Sequence, residues 1–218
     1  MYTSLRWMAP TTGLAIALFA WSGTALAQAA PRTVQPGAPG EASRVRPPAE
    51  VGRGESRHTQ ADVQFMQGMI PHHAQALEMT SLVPTRSSRE DVRLLAQRIE
   101  AAQDYEISVM RRWLRERGEA APDAAGHHGH DAEHHALMPG MLTEEEMARL
   151  AAATGAEFDR LFLEYMIRHH EGALIMVAEL FASAGAGQEW EIFQFASGVD
   201  GDQRIEIARM YRMLAEDR

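Results

Sequence analysis

The chain has 218 residues, 45% of them hydrophobic, a formal net charge of −9 and no cysteine. The absent thiol excludes disulfides, lipoprotein acylation and thiolate metal sites, so any soft metal must draw its sulfur from the 13 methionines. The acidic balance, with all 21 basic residues arginine, argues against nucleic acid as a partner.

The N-terminus reads as a targeting signal. Arg6 supplies a positive charge, Gly13 to Trp21 an apolar run, and Ala25-Leu26-Ala27 a small-residue cleavage site, so the mature chain is expected to start at Gln28. Cleavage would remove Arg6 alone among the charged residues and take the charge from −9 to −10. The run is shorter than the roughly 20 apolar residues of a membrane helix, and no later segment reaches that length. A soluble, periplasmic or secreted product with no membrane span in the mature chain is expected; an uncleaved anchor is the alternative. Residues 28–58 hold Pro31, Pro36, Pro39, Pro47 and Pro48 and almost no large apolar side chain, which predicts a flexible, disordered tether without strands.

Folded structure is expected from Thr59, where Thr59-Gln60-Ala61-Asp62 forms a capping-box pattern before an apolar helix. Apolar spacing near 3.6 then predicts an all-α chain of four main helices. The first runs from about Gln60 to Leu82 and stops before Pro84. The second starts near Ser87 or Ser88, with Glu90 and Asp91 in its first turn, and ends at Gly118 after an arginine-rich turn that suits the helix dipole. A short extra helix is capped by Thr143 with Glu146. The third covers about Ala156 to Ala184, closed by Gly185 and Gly187, and the fourth runs from about Gln188 to the C-terminus.

These helices repeat. Phe65 to Met79, containing Met69-Ile70-Pro71-His72-His73, returns at an offset of 97 as Phe162 to Met176, containing Met166-Ile167-Arg168-His169-His170. Gln103, Glu106, Ile107, Met110 and Leu114 return at an offset of 100 as Gln203, Glu206, Ile207, Met210 and Leu214, which places a three-residue insertion in the loop between the paired helices. Each half is a helical hairpin, residues 59–118 and 143–217, joined by a linker at 119–142. Neither hairpin can bury its apolar stripe alone, so the two should pack as a pseudo-twofold four-helix bundle over residues 59–217.

Imidazole nitrogen and thioether sulfur make up the ligand set of a soft or borderline metal, copper first. At about 100° per residue His72 and Met79 share one stripe of their helix, and Met69 and His73 lie on the adjoining one; His169 with Met176 and Met166 with His170 repeat this. Consecutive histidines diverge by about 100°, so each should face a different neighbour. Methionine at helical spacing is ordinarily core packing, and a lone His-His pair is ordinarily structural. Duplication shifts the balance, because facing half-sites are how bundles build metal centres. Candidate ligands are therefore His72, His73, His169, His170, Met69, Met79, Met166 and Met176. Glu106 and Glu206 could bind metal or orient a histidine, and Met110 and Met210 lie on the same faces. Pro71 and Gly68 predict a kink before the first histidine pair. Within the linker, His127, His128, His130, His134 and His135 form a tract suited to loose metal capture or to a simple connector, followed by Met138-Pro139-Gly140-Met141. His58 has no visible role. No Gly-x-Ser-x-Gly elbow or phosphate loop is present.

The Met-Ile-Pro-His-His and Met-Ile-Arg-His-His-Glu-Gly-Ala motifs, with the Gln-x-x-Glu-Ile-x-x-Met signatures, resemble the domain-of-unknown-function family 305 over about Thr59 to Leu214. That resemblance implies a ferritin-like four-helix bundle, often exported, and copper handling of the kind named for CopM-type periplasmic proteins. No helix carries a Glu-x-x-His motif, which speaks against a di-iron centre. Copper, as Cu(I), or silver is thus the expected bound ion, with metal ions the expected partners, a delivery partner or homo-oligomer left open, and no catalysed reaction. A metal-dependent oxidase and a metal-free, partner-binding bundle are the alternatives.

Overall fold

The computed structural model describes residues 33–35, 44–46, 58–122 and 137–216. The expected signal peptide and the histidine tract His127 to His135 lie outside the described residues.

Two units are distinguished, residues 1–54 and residues 55–218. In the first, β1 (Thr33–Gln35) pairs antiparallel with β2 (Arg44–Arg46), with Val34 opposite Val45. This corrects the expectation of a strand-free tether. Thr33, Val34 and Val45 are β-branched and favour extended backbone, a local preference that the proline-rich composition conceals.

The second unit carries five helices among the described residues: α1 (Gln60–Arg86), α2 (Glu90–Glu116), α3 (Glu144–Ala152), α4 (Gly155–Ala182) and α5 (Trp190–Glu216). None is long and apolar enough to cross a membrane. α1 packs on α2, α4 on α5, and α1 on α4 between the two hairpins. The expected capping boxes are present at Thr59 with Asp62 and at Thr143 with Glu146. Asp62 does more than cap. Its Oδ2 accepts from the Thr59 N–H at 2.6 Å, while Oδ1 accepts from the Gly187 N–H at 2.7 Å and so ties the start of α1 to the α4–α5 turn.

Two boundaries differ from expectation. α1 does not stop before Pro84 but continues through it to Arg86, because buried Val83 packs into the core and the Ser87 N–H closes the last turn on the Val83 carbonyl at 3.0 Å. The helix is likewise continuous through Pro71. α2 starts at Glu90 rather than at a serine cap, since the Ser87 hydroxyl instead accepts from the Arg89 N–H in the turn between the helices.

The apolar core falls into two clusters. One holds Leu95, Ile99, Leu150, Phe158 and Phe162 with Met79, Met166 and Met210; the other holds Val63, Ile70, Trp113, Leu114 and Ile192 with Met69, Met110 and Met176. Each large side chain fully buried there contributes about 1.5–3 kcal/mol. Every main helix passes from one cluster to the other, and the residues at the crossing are polar: His72 and His73 on α1, Gln103 and Glu106 on α2, His169 and His170 on α4, Gln203 and Glu206 on α5. A polar layer thus cuts the bundle at its middle.

Candidate metal centre

The four histidines are fully buried because the helical period turns both residues of each pair inward, each toward a different neighbour. His72 meets His169 across the α1–α4 contact, with ring centroids 3.9 Å apart and planes tilted by 37°. His73 turns toward α2, where its Nε2 lies 2.6 Å from Glu106 Oε2, and His170 turns toward α5, where its Nε2 lies 2.7 Å from Glu206 Oε2. A carboxylate only accepts, so each Nε2–H donates and Nδ1 is left as the second nitrogen. Of the two roles open to Glu106 and Glu206, orienting a histidine is the one their contacts describe.

His72 is held by a different acceptor. Its Nε2–H donates to the Pro139 carbonyl at 3.0 Å. Burial, reinforced by neighbouring His73, pushes His72 down to about 3, so at neutral pH its Nδ1 carries a free lone pair. Burial first, and then His72, His170 and His73, also holds His169 well below the ordinary imidazole range. Neither ring nitrogen of His169 has a hydrogen-bond partner, and the Nδ1 atoms of His72, His73 and His170 have none. The side-chain amides of Gln103 and Gln203, buried one turn before Glu106 and Glu206, are unpartnered at both ends. A native interior leaves few such groups unpaired, and these gather in one layer.

Among the described residues no group of three or more histidine, aspartate or glutamate side chains could hold a metal ion on its own. Met69, Met110 and Met176 flank the histidine layer on one side and Met79, Met166 and Met210 on the other, all buried, so each half of the pseudo-twofold contributes three methionines at equivalent positions.

Sequence reasoning missed three participants. Asp202 lies close enough to Glu106 and Glu206 that burial and then their charges raise its carboxyl above the ordinary range; its counterpart at the repeat offset is Ala102, so duplication gave no signal for it. Pro139 and Met138 belong to a turn whose readable sign is the Pro-Gly pair: the Met141 N–H donates to the Met138 carbonyl at 3.1 Å, with Gly140 at φ 76°. The turn lies on α4, where a Cβ at Gly172 would overlap the Pro139 carbonyl. It continues to α1, where Leu142 exchanges two hydrogen bonds, of 2.7 and 2.9 Å, with the Gln75 side chain. His58 is not idle either, since its ring stands edge-on to Trp113 at 5.3 Å.

The sequence profile described as "Domain of unknown function (DUF305)" matches residues 62–214. None of the curated proteins matches the chain. Among solved structures, the chain is similar to a DUF305 fragment from Deinococcus radiodurans, 33% identical with a TM-score of 0.62 over 73% of this chain and 98% of that one. A protein described as a putative secreted DUF305 protein from Streptomyces coelicolor is 29% identical, with a TM-score of 0.59 over 72% and 93%. CopM in its Cu(II)-bound form is 25% identical, with a TM-score of 0.58 over 72% and 97%, and its Cu(I)- and Ag-bound forms, at 24%, share the fold.

Proposed function

The chain belongs to the DUF305 family, and on that premise we propose that it is an exported protein that binds a soft monovalent metal, Cu(I) and by the same chemistry Ag(I), for buffering or tolerance rather than for a reaction. One observation carries the reading: the His72 and His169 rings lie 3.9 Å apart between centroids, shut away from water, with both nitrogens of His169 and Nδ1 of His72 lacking a hydrogen-bond partner. Each unpartnered buried group costs about 1–3 kcal/mol, a cost that coordination removes. The fit of the donors is chemical. Neutral imidazole and neutral thioether are ligands for a soft ion of low charge, and the buried methionines flank the histidine layer on both sides.

Within this reading His72, His73, His169 and His170 supply nitrogen, and Met69, Met79, Met166 and Met176 supply sulfur. Glu106 and Glu206 hold His73 and His170 in the tautomer that frees Nδ1, and Pro139 does the same for His72. The CopM structures with copper and silver support the choice of metal, and the secreted relative and the signal-like N-terminus support export.

The test is titration of the purified protein with Cu(I) against a competing chelator. The comparison uses a chain in which His127, His128, His130, His134 and His135 are already asparagine. Replacing His72, His73, His169 and His170 in that background should abolish tight binding, and an unchanged affinity sinks the reading.

A further inference from the structure

The turn that supplies Pro139 also carries a sulfur atom to the edge of the site. Met138 Sδ and the Met176 methyl lie 3.4 and 3.5 Å from the point that a Cβ on Gly68 would occupy, so the ends of both side chains lie over the bare backbone of α1. Gly68 stands one turn before His72 on the same helix face, and Gly172 stands one turn before Met176. The Pro139 carbonyl that holds His72 belongs to the residue after Met138. Met138 is thereby fixed beside the histidine layer from two directions.

Exposure separates Met138 from the other sulfurs. Met69, Met79, Met110, Met166, Met176 and Met210 are all buried, whereas Met138 is only partly so. The arrangement is also confined to one half of the pseudo-twofold. At the repeat offset of 97, Gly68 is answered by Tyr165, a large side chain where the first half has bare backbone.

We propose that Met138 and Met176 form a thioether clamp over Gly68, an additional binding site at which a soft monovalent cation, Cu(I) or Ag(I), first leaves solvent for the bundle. The clamp rests on the metal-binding reading above and adds to it a sulfur donor from the linker and a point of entry. Both donors are neutral and polarisable, so the clamp selects against hard divalent ions. Its single copy makes uptake asymmetric in a bundle whose buried ligands are paired.

Met138→Leu removes the sulfur at nearly constant volume. Full-length protein and this variant would be loaded with Ag(I) and with Cu(I) and compared by chelator competition, by the sulfur shell in X-ray absorption, and by peroxide oxidation of methionine read by mass spectrometry. In the wild type, about one equivalent of Ag(I) should protect Met138 from oxidation. The variant should lose one sulfur scatterer at partial load and bind about tenfold or more weakly at its first equivalent, a lower bound set by what losing even an outer-shell partner costs. Its thermal midpoint should not move. Equal first-equivalent affinity and sulfur shell in Met138→Leu, or Met138 oxidised as fast with silver as without, overturns the clamp while leaving the histidine site standing. If the wild type takes up neither ion, the clamp and the reading beneath it both fall.

Discussion

Glu106 accepts a hydrogen bond from His73 at 2.6 Å, and the contact determines which nitrogen of a fully buried ring can face a metal. Glu206 does the same for His170 on the other hairpin. Glu106→Leu should therefore weaken Cu(I) binding by about 10- to 100-fold, as loss of an outer-shell partner does elsewhere. Glu106→Gln, which keeps an acceptor oxygen, should lose less than Glu106→Leu. The same chelator competition measures both. With Glu106 neutralised, the raised carboxyl of Asp202 should move back down, a shift that carbon-detected NMR titration reads directly.

Two glycine substitutions should have opposite signs. A Cβ at Gly172 would overlap the Pro139 carbonyl, so Gly172→Ala should push the turn off α4 and cost about 1–3 kcal/mol, as overpacking does. Gly198 sits inside α5 with nothing within 4 Å of where its Cβ would lie, so Gly198→Ala should stabilise by about 0.5–1 kcal/mol through helix propensity. Denaturant unfolding of the pair gives the comparison. A stabilised Gly172→Ala would show that the turn does not bear on α4.

The duplication made the bundle and its histidine layer legible, because the 3.6-residue period and the two offsets specify which faces turn inward. It could not show what lies opposite each ring. The facing of His72 and His169 depends on how α1 and α4 cross, and the roles of Pro139 and Met138 depend on a turn with no counterpart in the other half. Pro84 misled for a related reason. Its cost to the helix is local, whereas the burial of Val83 that outweighs it is tertiary. Asp62 was legible as a cap and illegible as a tie, since its Gly187 partner is 125 residues away.

Asp62 should matter more than a cap alone. An N-terminal capping residue contributes about 1 kcal/mol, and a buried hydrogen bond to a charged acceptor adds about 1.5–3 kcal/mol. Asp62→Ala should therefore cost about 2–4 kcal/mol, while Thr59→Ala, which loses only the box, should cost about 1 kcal/mol. If thermal unfolding finds the two equal, the bond to Gly187 contributes nothing.

Acid should unfold the metal-free protein by way of its histidines. In the unfolded chain His72 takes up a proton near 6.5, but in the bundle burial, with His73 and His170 adding repulsion, defers it to about 3. Between those values the unfolded state binds the extra proton, so stability is intact above about 6.5 and falls as pH drops toward about 3. His169, held low by burial and by the same neighbours, adds a loss of the same sign. Each such group gives at most ~1.4 kcal/mol per pH unit. Replacing both His72 and His169 with leucine should flatten the dependence of the unfolding midpoint between pH 7 and pH 5. A metal that needs the neutral rings should oppose the loss, so Ag(I)-loaded protein should keep its midpoint to lower pH than the metal-free form. Parallel curves for loaded and unloaded protein would place the ion away from these two imidazoles.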